Sequence, residues 1–372
     1  MSNKKPVVIY GASGYSGGLI AEFMRDQQIP FIAAGRNKER VEAAMQKVPG
    51  IENAEYEVVA VEHNVEALTE LFSGAVVVCN TVGPFAKFGD ETVEACLNAG
   101  AHYLDVTGEQ SWMRKMRDQF GAKFAEKGLL LSPSTAYMHT TCEIAGEICK
   151  EYSDIDTLDF VCVPSAIPTV ASTQTIFDMI TSEHLYLEQG KLIPWQSIGK
   201  GSEVSLPTLS ATVLCLPWGG SGMSLWYEND SKIRSVKSLT GFNNRPLMEG
   251  VIDLCNHYEA NLKQLPAEEQ KKALTEMASQ QQPGMPPREN ALIHRCFDRC
   301  IGTGGLNQVT TTIYSTRAYQ QTGLLQAVAA KQLIGGHLKA AGFQSACQAF
   351  GHDVLLSALK SYGFARVTVE ES

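Results

Sequence analysis

Three evenly spaced glycines, Gly11, Gly14 and Gly17, point most directly to chemistry in this chain. An apolar run at residues 7–10 leads into them, and an amphipathic segment at residues 18–24 follows. Glycines allow a tight turn and a close approach of phosphate to the backbone, and the free amides at the start of a helix attract an anion. A strand, a glycine turn and a helix in this order predict a site for a dinucleotide pyrophosphate. An ordinary strand–helix turn is the alternative.

The end of the second predicted strand indicates which dinucleotide would bind. An NAD site usually has an acidic residue there, which accepts hydrogen bonds from the ribose 2′-hydroxyl. Here Arg36 occupies that place, with Lys38 and Arg40 close behind. A guanidinium suits a 2′-phosphate, so we predict NADP(H) as the cofactor. The alternative is a solvated arginine that opens the second helix.

The loop that follows the fourth predicted strand reads Asn-Thr-Val-Gly-Pro-Phe at residues 80–85. Ligands of a doubly wound sheet bind outside the carboxyl ends of its strands, so we expect this loop to border the nicotinamide ribose. A plain Gly-Pro turn followed by a core phenylalanine is the alternative. The predicted cofactor contacts are Gly11, Ala12, Ser13, Gly14, Tyr15, Ser16, Gly17, Arg36, Asn37, Lys38, Asn80, Thr81, Val82, Gly83, Pro84 and Phe85.

Hydride transfer to a polarised double bond also needs a proton donor, and Tyr137 and His139 are the leading candidates. They lie in a loop, residues 134–142, that leaves the sixth predicted strand at the ligand-binding edge. Histidine titrates near neutrality, and neighbouring groups can tune a tyrosine. Glu109, after the fifth predicted strand, is a third candidate that could orient ribose or substrate or move a proton. The competing roles are helix capping for His139 and Glu109, and packing for Tyr137.

These residues are positioned by an alternation of strands and helices through the first 150 residues. Such alternation with short connections predicts an α/β fold with a Rossmann-type doubly wound parallel sheet. The predicted strands are at about 7–10, 31–34, 56–61, 75–79, 102–106 and 129–132, and the predicted helices are near 14–27, 37–46, 64–72, 89–99, 110–127 and 140–151.

From about residue 155 the pattern changes to that of an α+β domain. Strands are predicted at 158–163, 211–216, 224–227 and 308–314, with a hairpin turn at Gly304 and Gly305; helices are predicted near 172–189 and 245–262, and an exposed helix and a loop over 264–290. Residues 319–365 are again helical. We therefore predict an NADP-binding domain over 1–150, a substrate or oligomerisation domain over 151–318, and C-terminal helices over 319–372.

The segment from residue 79 to residue 109 carries a family resemblance. It contains Val-Gly-Pro-Phe at 82–85, Ala-Cys at 95–96, and a strand end that reads Gly-Ala-His-Tyr-Leu-Asp-Val-Thr-Gly-Glu at 100–109. With the glycine turn and the Gly-Arg at 35–36, this resembles the saccharopine dehydrogenase-like reductases, which include trans-acting enoyl reductases. The match is specific over about 1–130 and fainter over 310–363.

The resemblance implies an NADP-binding Rossmann domain, an inserted substrate domain, and C-terminal helices over 319–372 that return to the Rossmann domain. It also implies hydride transfer at an unsaturated or amino/imino carbon. One departure concerns residues 134–142, which read Ser-Thr-Ala-Tyr-Met-His-Thr-Thr-Cys. Relatives commonly carry Gly-aromatic-Asp-Ser-x-Pro-x-Asp there. The substrate of the relatives is therefore not carried over to this chain.

Two other functions compete with the reductase. A semialdehyde dehydrogenase-like enzyme would need a cysteine nucleophile, and Cys142 is the cysteine near the expected active edge. The chain could instead be a non-catalytic NADP-binding protein whose divergent 134–142 loop marks lost catalysis. A short-chain dehydrogenase mechanism is disfavoured because none of the 12 tyrosines has a lysine four residues later.

Composition narrows the class of partner and the location. A formal net charge of -9 disfavours nucleic acid and anionic membranes as partners, and no apolar run is long enough for a membrane span. We expect a cytoplasmic homo-oligomer with reduced cysteines, a small-molecule substrate and no metal site at Cys296 and Cys300. Four aromatic residues suggest a partly apolar or aromatic substrate, although core packing accounts for them more simply: Trp195, Trp218, Trp226 and Tyr227.

Overall fold

The computed structural model describes residues 5–206, 211–217, 222–281 and 285–371, and the chain forms two compact units. The first unit contains the described residues up to Thr107, together with Trp112–Thr140 and Tyr319–Phe364. The second contains Gly108–Ser111, the described part of Thr141–Ala318, and the described residues from Ala365 onward.

Strands and helices alternate through residue 150, as the sequence predicts. In chain order they are β1 (Val7–Tyr10), α1 (Tyr15–Asp26), β2 (Phe31–Gly35), α2 (Lys38–Met45), β3 (Tyr56–Ala60), α3 (Val65–Phe72), β4 (Val77–Asn80), α4 (Phe85–Ala99), β5 (His102–Asp105), α5 (Gln110–Met116), α6 (Ala122–Glu126), β6 (Leu130–Ser132) and α7 (Cys142–Lys150). A π-helical turn, Arg117–Gly121, joins α5 to α6, and a second one, Tyr137–Thr141, leads into α7.

The later elements include more strands than the sequence predicted. They are β7 (Thr157–Val163), α8 (Val170–Met179), β8 (Leu185–Glu188), β9 (Lys191–Pro194), β10 (Ser202–Val204), β11 (Val213–Cys215), α9 (Gly222–Trp226), β12 (Ser235–Thr240), α10 (Arg245–His257), α11 (Ala267–Gln281), β13 (Arg295–Gly304), β14 (Asn307–Thr316), α12 (Ala318–Ile334), β15 (Gly342–Phe343), α13 (Ala346–Phe350), α14 (His352–Ser361) and β16 (Ala365–Glu371).

The first unit is built on a parallel sheet with the strand order β15-β6-β5-β4-β1-β2-β3. β1 pairs with β2 on one side and with β4 on the other, in each case parallel. Its Val7, Val8 and Ile9 are completely buried, because a central parallel strand is covered by helices on both faces. This arrangement confirms the predicted Rossmann-type fold.

The last part of this unit comes from the C-terminal third of the chain. α12 is buried at every position from 320 to 330, and β15 extends the sheet by pairing parallel with β6. The predicted helices at Leu324–Leu333 and Leu355–Leu359 are both present, as parts of α12 and α14.

The second unit contains a mixed sheet with the order β16-β14-β13-β7-β12-β8-β9 and a separate antiparallel ribbon, β10-β11. β7 and β12 are parallel, whereas β13 and β14 form the predicted hairpin around Gly304 and Gly305. The α+β character predicted for this part of the chain is therefore confirmed.

The strand predicted at Ser224–Tyr227 is wrong. These residues belong to the short helix α9 and the turn after it, and Met223, Leu225 and Trp226 are all buried. A short apolar run that is buried on every side has no period, so its sequence does not distinguish a strand from a helix.

The helix predicted over 172–189 is correct only in its first half. α8 ends at Met179, and Leu185–Glu188 forms β8, which pairs with β9 across a turn in which Gln189 and Gly190 have positive φ. Burial alternates along β8, with Leu185 and Leu187 inward, and this period of two is typical of a strand.

Candidate active site

The turn after β1 has a geometry that requires glycine. Gly11 has a φ of 91°, and a Cβ atom there would lie 2.5 Å from Thr81 Oγ1. The amides of Gly11 and Ala12 both donate to the carbonyl of Ala34, at 2.9 and 3.1 Å. The end of β1 is thus held against β2 and β4 by a turn that a larger residue would distort.

The first turn of α1 is suited to an anion. Its N-cap is Gly14, which provides no side-chain hydrogen bond, and the first turn contains no acidic residue. The amides of Ser16 and Gly17 lie where a helix has no internal acceptors, at the positive end of its dipole. A Cβ on Gly17 would lie 2.6 Å from Gly11 O, so this glycine lets α1 pack closely on the turn. The turn therefore fits a pyrophosphate.

Arg36 is exposed at the end of β2, directly after Gly35. Burial raises the pKa of Tyr10 to about 12, and the positive charge of Arg36 opposes this rise, so the guanidinium lies near the end of β1. Asn37 is the N-cap of α2 and accepts a 2.7 Å hydrogen bond from the amide of Arg40. Lys38 is exposed, with Glu42 3.9 Å away.

The loop after β4 is tied to the glycine turn. Thr81 Oγ1 lies 3.0 Å from the carbonyl oxygens of both Tyr10 and Gly11, and it donates to them. Asn80 is fully buried and accepts from the amide of Val82 at 2.9 Å. Phe85 lies in the hydrophobic core of the first unit, which is the alternative considered for it, and its contact with a cofactor stays a prediction.

A buried carboxyl group, Asp105, joins the ends of β5 and β6. Its Oδ1 accepts from the amides of Thr107 at 2.9 Å and Ser134 at 2.7 Å, and its Oδ2 accepts from the Tyr103 hydroxyl at 2.9 Å. Burial raises its pKa from 3.8 to about 6, although these hydrogen bonds favour the charged form. The Tyr103 hydroxyl also accepts a 3.0 Å hydrogen bond from Asn80, which extends the network to β4.

The segment after β6 is buried and strongly turned. Ser134 has a φ of 61°, and its hydroxyl donates to the carbonyl of Thr107 at 2.7 Å. Tyr137 and His139 are each only 2% exposed. Burial lowers the pKa of His139 to about 4, so its imidazole is neutral at pH 7. That value differs from the near-neutral titration expected of an ordinary histidine.

Glu109, the third predicted catalytic residue, is buried directly before α5. It belongs to the second unit, whereas Tyr137 and His139 belong to the first. In its own unit the neighbouring Gln110 donates to the carbonyl of Leu185 and accepts from the Leu185 amide. The catalytic roles of Tyr137, His139 and Glu109 stay predictions.

The aromatic residues considered for substrate contact lie within the second unit. Trp195 contacts Tyr186, with ring centroids 4.7 Å apart, while Trp226 and Tyr227 are buried. Trp218 lies outside the described residues.

The structure gives little support to Cys142 as a nucleophile. A hydrogen bond with Cys162 acts to lower the pKa of Cys142, but burial and the carboxylates of Asp298 and Glu143 outweigh it, and the pKa is raised. An activated nucleophile needs the opposite shift. All 10 cysteines are free and buried, and no group of metal-ligating side chains occurs within the described ranges.

Several residues near the predicted site were not singled out from the sequence. Thr322 Oγ1 on α12 accepts from the amide of Tyr137 at 3.1 Å. Gln326, also on α12, donates to the carbonyl oxygens of Asp105 at 2.8 Å and Thr135 at 2.9 Å. The sequence signal for them was the presence of polar residues within the apolar helix α12, which is buried on all sides.

The geometry of the first unit defines a dinucleotide-binding Rossmann domain, and comparison with known families agrees. A family model described as the saccharopine dehydrogenase NADP binding domain matches residues 7–128. This confirms the family resemblance of the amino-terminal part and NADP(H) as the cofactor of its domain class. A second model, described as a family of unknown function (DUF5938), matches residues 140–371, and the chain belongs to that family.

Curated relatives share the amino-terminal part. The lipid droplet localized protein of Caenorhabditis elegans is 30% identical over 132 residues, which are 33% of this chain and 31% of the relative. The trans-acting enoyl reductase of Mycobacterium ulcerans is 34% identical over 124 residues, 33% of this chain and 30% of the relative. The saccharopine dehydrogenase-like oxidoreductase of Homo sapiens is 27% identical over 145 residues, 35% of this chain and 34% of the relative. The matched part is thus about a third of each relative.

A solved structure extends the likeness to the whole chain at the level of fold. Apo saccharopine dehydrogenase (L-Glu forming) of Saccharomyces cerevisiae matches 99% of this chain and 100% of its own, with a TM-score of 0.61 and 13% identity. The comparisons thus show an NADP-binding domain over residues 7–128 and a whole-chain fold like that of saccharopine dehydrogenase. Within the described ranges no helix is long and apolar enough to cross a bilayer.

Proposed function

We propose that this protein is an NADP(H)-dependent reductase or dehydrogenase that transfers a hydride to or from a C=C, C=N or C=O bond of a small molecule. The observation that carries the proposal is the pairing of an uncapped α1 with the exposed Arg36 at the end of β2. A pyrophosphate needs the first, and a 2′-phosphate needs the second.

The proposed cofactor contacts divide by function. The amides of the 11–17 turn would bind the pyrophosphate, Arg36 with Asn37 and Lys38 would bind the 2′-phosphate, and the 80–85 loop would border the nicotinamide ribose. When bound, NADP(H) supplies or accepts the hydride.

The protein's own part in the chemistry is to supply a proton. A hydride that adds to one atom of a double bond leaves an electron pair on the other atom, and a proton must reach that atom. His139 is neutral at pH 7, so it is a weak acid there. We therefore place Tyr137 first as the donor, with His139 in an orienting role, while a role for Glu109 stays a prediction from the sequence.

The names of two relatives support reduction of an unsaturated bond. One is a trans-acting enoyl reductase, and another is a saccharopine dehydrogenase-like oxidoreductase. The proposed division of labour is a cofactor domain over 1–150 and substrate recognition over 151–318. The cytoplasmic location, the homo-oligomeric state and the partly apolar substrate stay predictions from the sequence.

Replacement of Arg36 tests the proposal directly. Arg36→Ala should weaken NADPH binding by about 10-fold or more, because a charge-assisted contact with phosphate contributes on the order of 1.5–3 kcal/mol. Binding of NADH, which lacks the 2′-phosphate, should change little. Isothermal titration calorimetry of both nucleotides measures this difference.

Lys47→Ala is the matched control, since it removes one positive charge from an exposed position just after α2. It should leave both affinities near those of the wild type. Equal losses of NADPH and NADH affinity in Arg36→Ala would contradict the assignment of the 2′-phosphate. An absence of NADPH binding by the wild-type protein would refute the proposed function.

A further inference from the structure

The half of the proposed cofactor site opposite Arg36 lies at the ends of β4, β5 and β6, and its assignment rests on the proposed function. The strand order places β2 and β3 on one side of β1 and places β4, β5 and β6 on the other. A dinucleotide lies across this switch point, one mononucleotide on each side. Because Arg36 assigns the adenosine to the β2 side, the nicotinamide falls on the side of Asn80, Asp105 and Ser134.

α12 reaches this half of the site with one helical face. The ring of Tyr319 lies edge-on to Tyr15, at the start of α1, with centroids 5.2 Å apart. Thr322 and Gln326 follow at helical intervals of three and four residues, so they extend the same face. This face thus contacts the glycine turn at one end and the segment after β6 at the other.

Gln326 joins the two strand ends that border the nicotinamide half. It is completely buried, and its amide nitrogen donates to the carbonyl oxygens of Asp105 and Thr135. Its side-chain oxygen has no hydrogen-bond partner among the described residues. An unpartnered buried oxygen is unfavourable, and an apolar residue would fill this space without it, so the two donated hydrogen bonds are the function of this side chain.

We propose that Gln326 is a positioning residue for the nicotinamide end of the cofactor. It fixes the segment from Thr135 to Tyr137 against the carboxyl end of β5. The adenosine half, formed around Arg36, has no hydrogen bond to Gln326. Loss of Gln326 should therefore loosen one end of the bound cofactor and leave the other end unchanged.

Two nucleotides separate the two ends. Adenosine 2′,5′-bisphosphate occupies only the adenosine half, whereas NADPH occupies both halves, and the fluorescence of its dihydronicotinamide ring reports the environment of that ring. We would measure both affinities by calorimetry, and the fluorescence of bound NADPH, in the full chain. The variant is Gln326→Met, which keeps the side-chain volume and removes the donors. Gln332→Met, six residues further along α12, is the matched control.

For Gln326→Met we expect NADPH affinity to fall by about 10-fold and the bound fluorescence to move toward that of free NADPH, while bisphosphate affinity stays within about twofold of the wild type. The Gln332→Met control should match the wild type in all three. If Gln326→Met also matches the wild type, or if it weakens both nucleotides equally, the inference is overturned.

A second variant guards against misfolding. Thr322→Val removes the acceptor of the Tyr137 amide and should give the same selective loss; equal behaviour of the two nucleotides in this variant would also overturn the inference. If the wild-type protein binds neither nucleotide, the proposed function itself fails, and this inference with it. If the wild type binds both, only the inference is at stake.

Discussion

Asp105 is the residue whose burial has the clearest energetic consequence. Burial raises its pKa to about 6 from 3.8 in the unfolded chain, so between these values the folded protein holds a proton that the unfolded chain releases. The contribution of this carboxyl group to stability is therefore greatest below pH 4 and is lost as pH rises through 6.

The Asp105→Asn variant cannot ionise at this position and should lack that dependence. Between about pH 4 and pH 7 its stability relative to the wild type should rise by roughly 3 kcal/mol, the equivalent of a shift of about two pH units. Urea unfolding across this range measures the difference. A difference between Asp105→Asn and wild type that is flat with pH would contradict the shift.

We expect substitutions of Tyr137 and His139 to affect catalysis differently. Phe at position 137 removes the proposed acid, so Tyr137→Phe should lower kcat by about 10²–10⁴-fold while NADPH affinity is kept. His139 has a pKa of about 4, and His139→Gln should therefore leave the pH dependence of the rate between 5 and 8 unchanged. The rates are those of NADPH oxidation with a substrate found by screening enones, imines and keto acids. Wild-type turnover in both variants would remove this segment from the proton-transfer step.

At the residue scale, the sequence predicted backbone placement where one strand, one turn and one helix determine it. Gly11 and Gly17 lie in the turn and the helix start, and Arg36 lies at the strand end, as their spacing predicted; their contacts with a cofactor stay predictions. The contact between Gln326 and Asp105 was not predictable from the sequence. It joins residues 221 positions apart, and neither residue type indicates which partner it will bind.

At the scale of elements, the packing of α1 is sensitive to a single added methyl group. A Cβ on Gly17 would meet the backbone of Gly11 at 2.6 Å and of Ala12 at 2.7 Å, and backbone atoms cannot move aside cheaply. A Cβ on the adjacent Gly18 would meet only Val48, at an ordinary 3.8 Å. Gly18 is therefore a matched control for substitution of Gly17.

Gly17→Ala should destabilise the protein by about 1–3 kcal/mol and weaken NADPH binding, because α1 must shift from the turn. Gly18→Ala should stabilise it by about 0.5–1 kcal/mol, since alanine restricts the unfolded chain and favours a helix. Urea unfolding and calorimetry measure the two effects. Similar changes in both variants would show that the close packing of α1 is not as described.

The success of strand prediction also depended on how each strand is buried. β1 to β6 were predicted within two residues at each end, because parallel strands buried on both faces are short apolar runs. β13 and β16 were not predicted as strands. Burial on β13 does not alternate, since Cys296, Phe297 and Asp298 are all buried, and β16 pairs with β14, which is distant in sequence. α9 was mistaken for a strand because only its tertiary surroundings decide its conformation.

At the scale of the whole molecule, the two family models match different parts of the chain, and only the first carries a described function. Residues 7–128 belong to a well-described cofactor-binding class, and the resemblance seen in the sequence covers nearly the same range. Residues 140–371 belong to a family of unknown function. The cofactor was therefore predictable from the sequence and the substrate was not, because the substrate depends on the part whose motifs have no assigned chemistry.

The first unit is assembled from stretches at both ends of the sequence, with α12 and β15 contributed after residue 318. A ribosome that synthesises the chain releases β1 to β6 long before these last pieces emerge. The sheet then stays incomplete, with the edge of β6 not yet paired with β15, while the second unit is synthesised. Nascent chains of this protein would thus complete the parallel sheet only after the second unit has been synthesised, and a chaperone that shields the incomplete sheet would act during that interval.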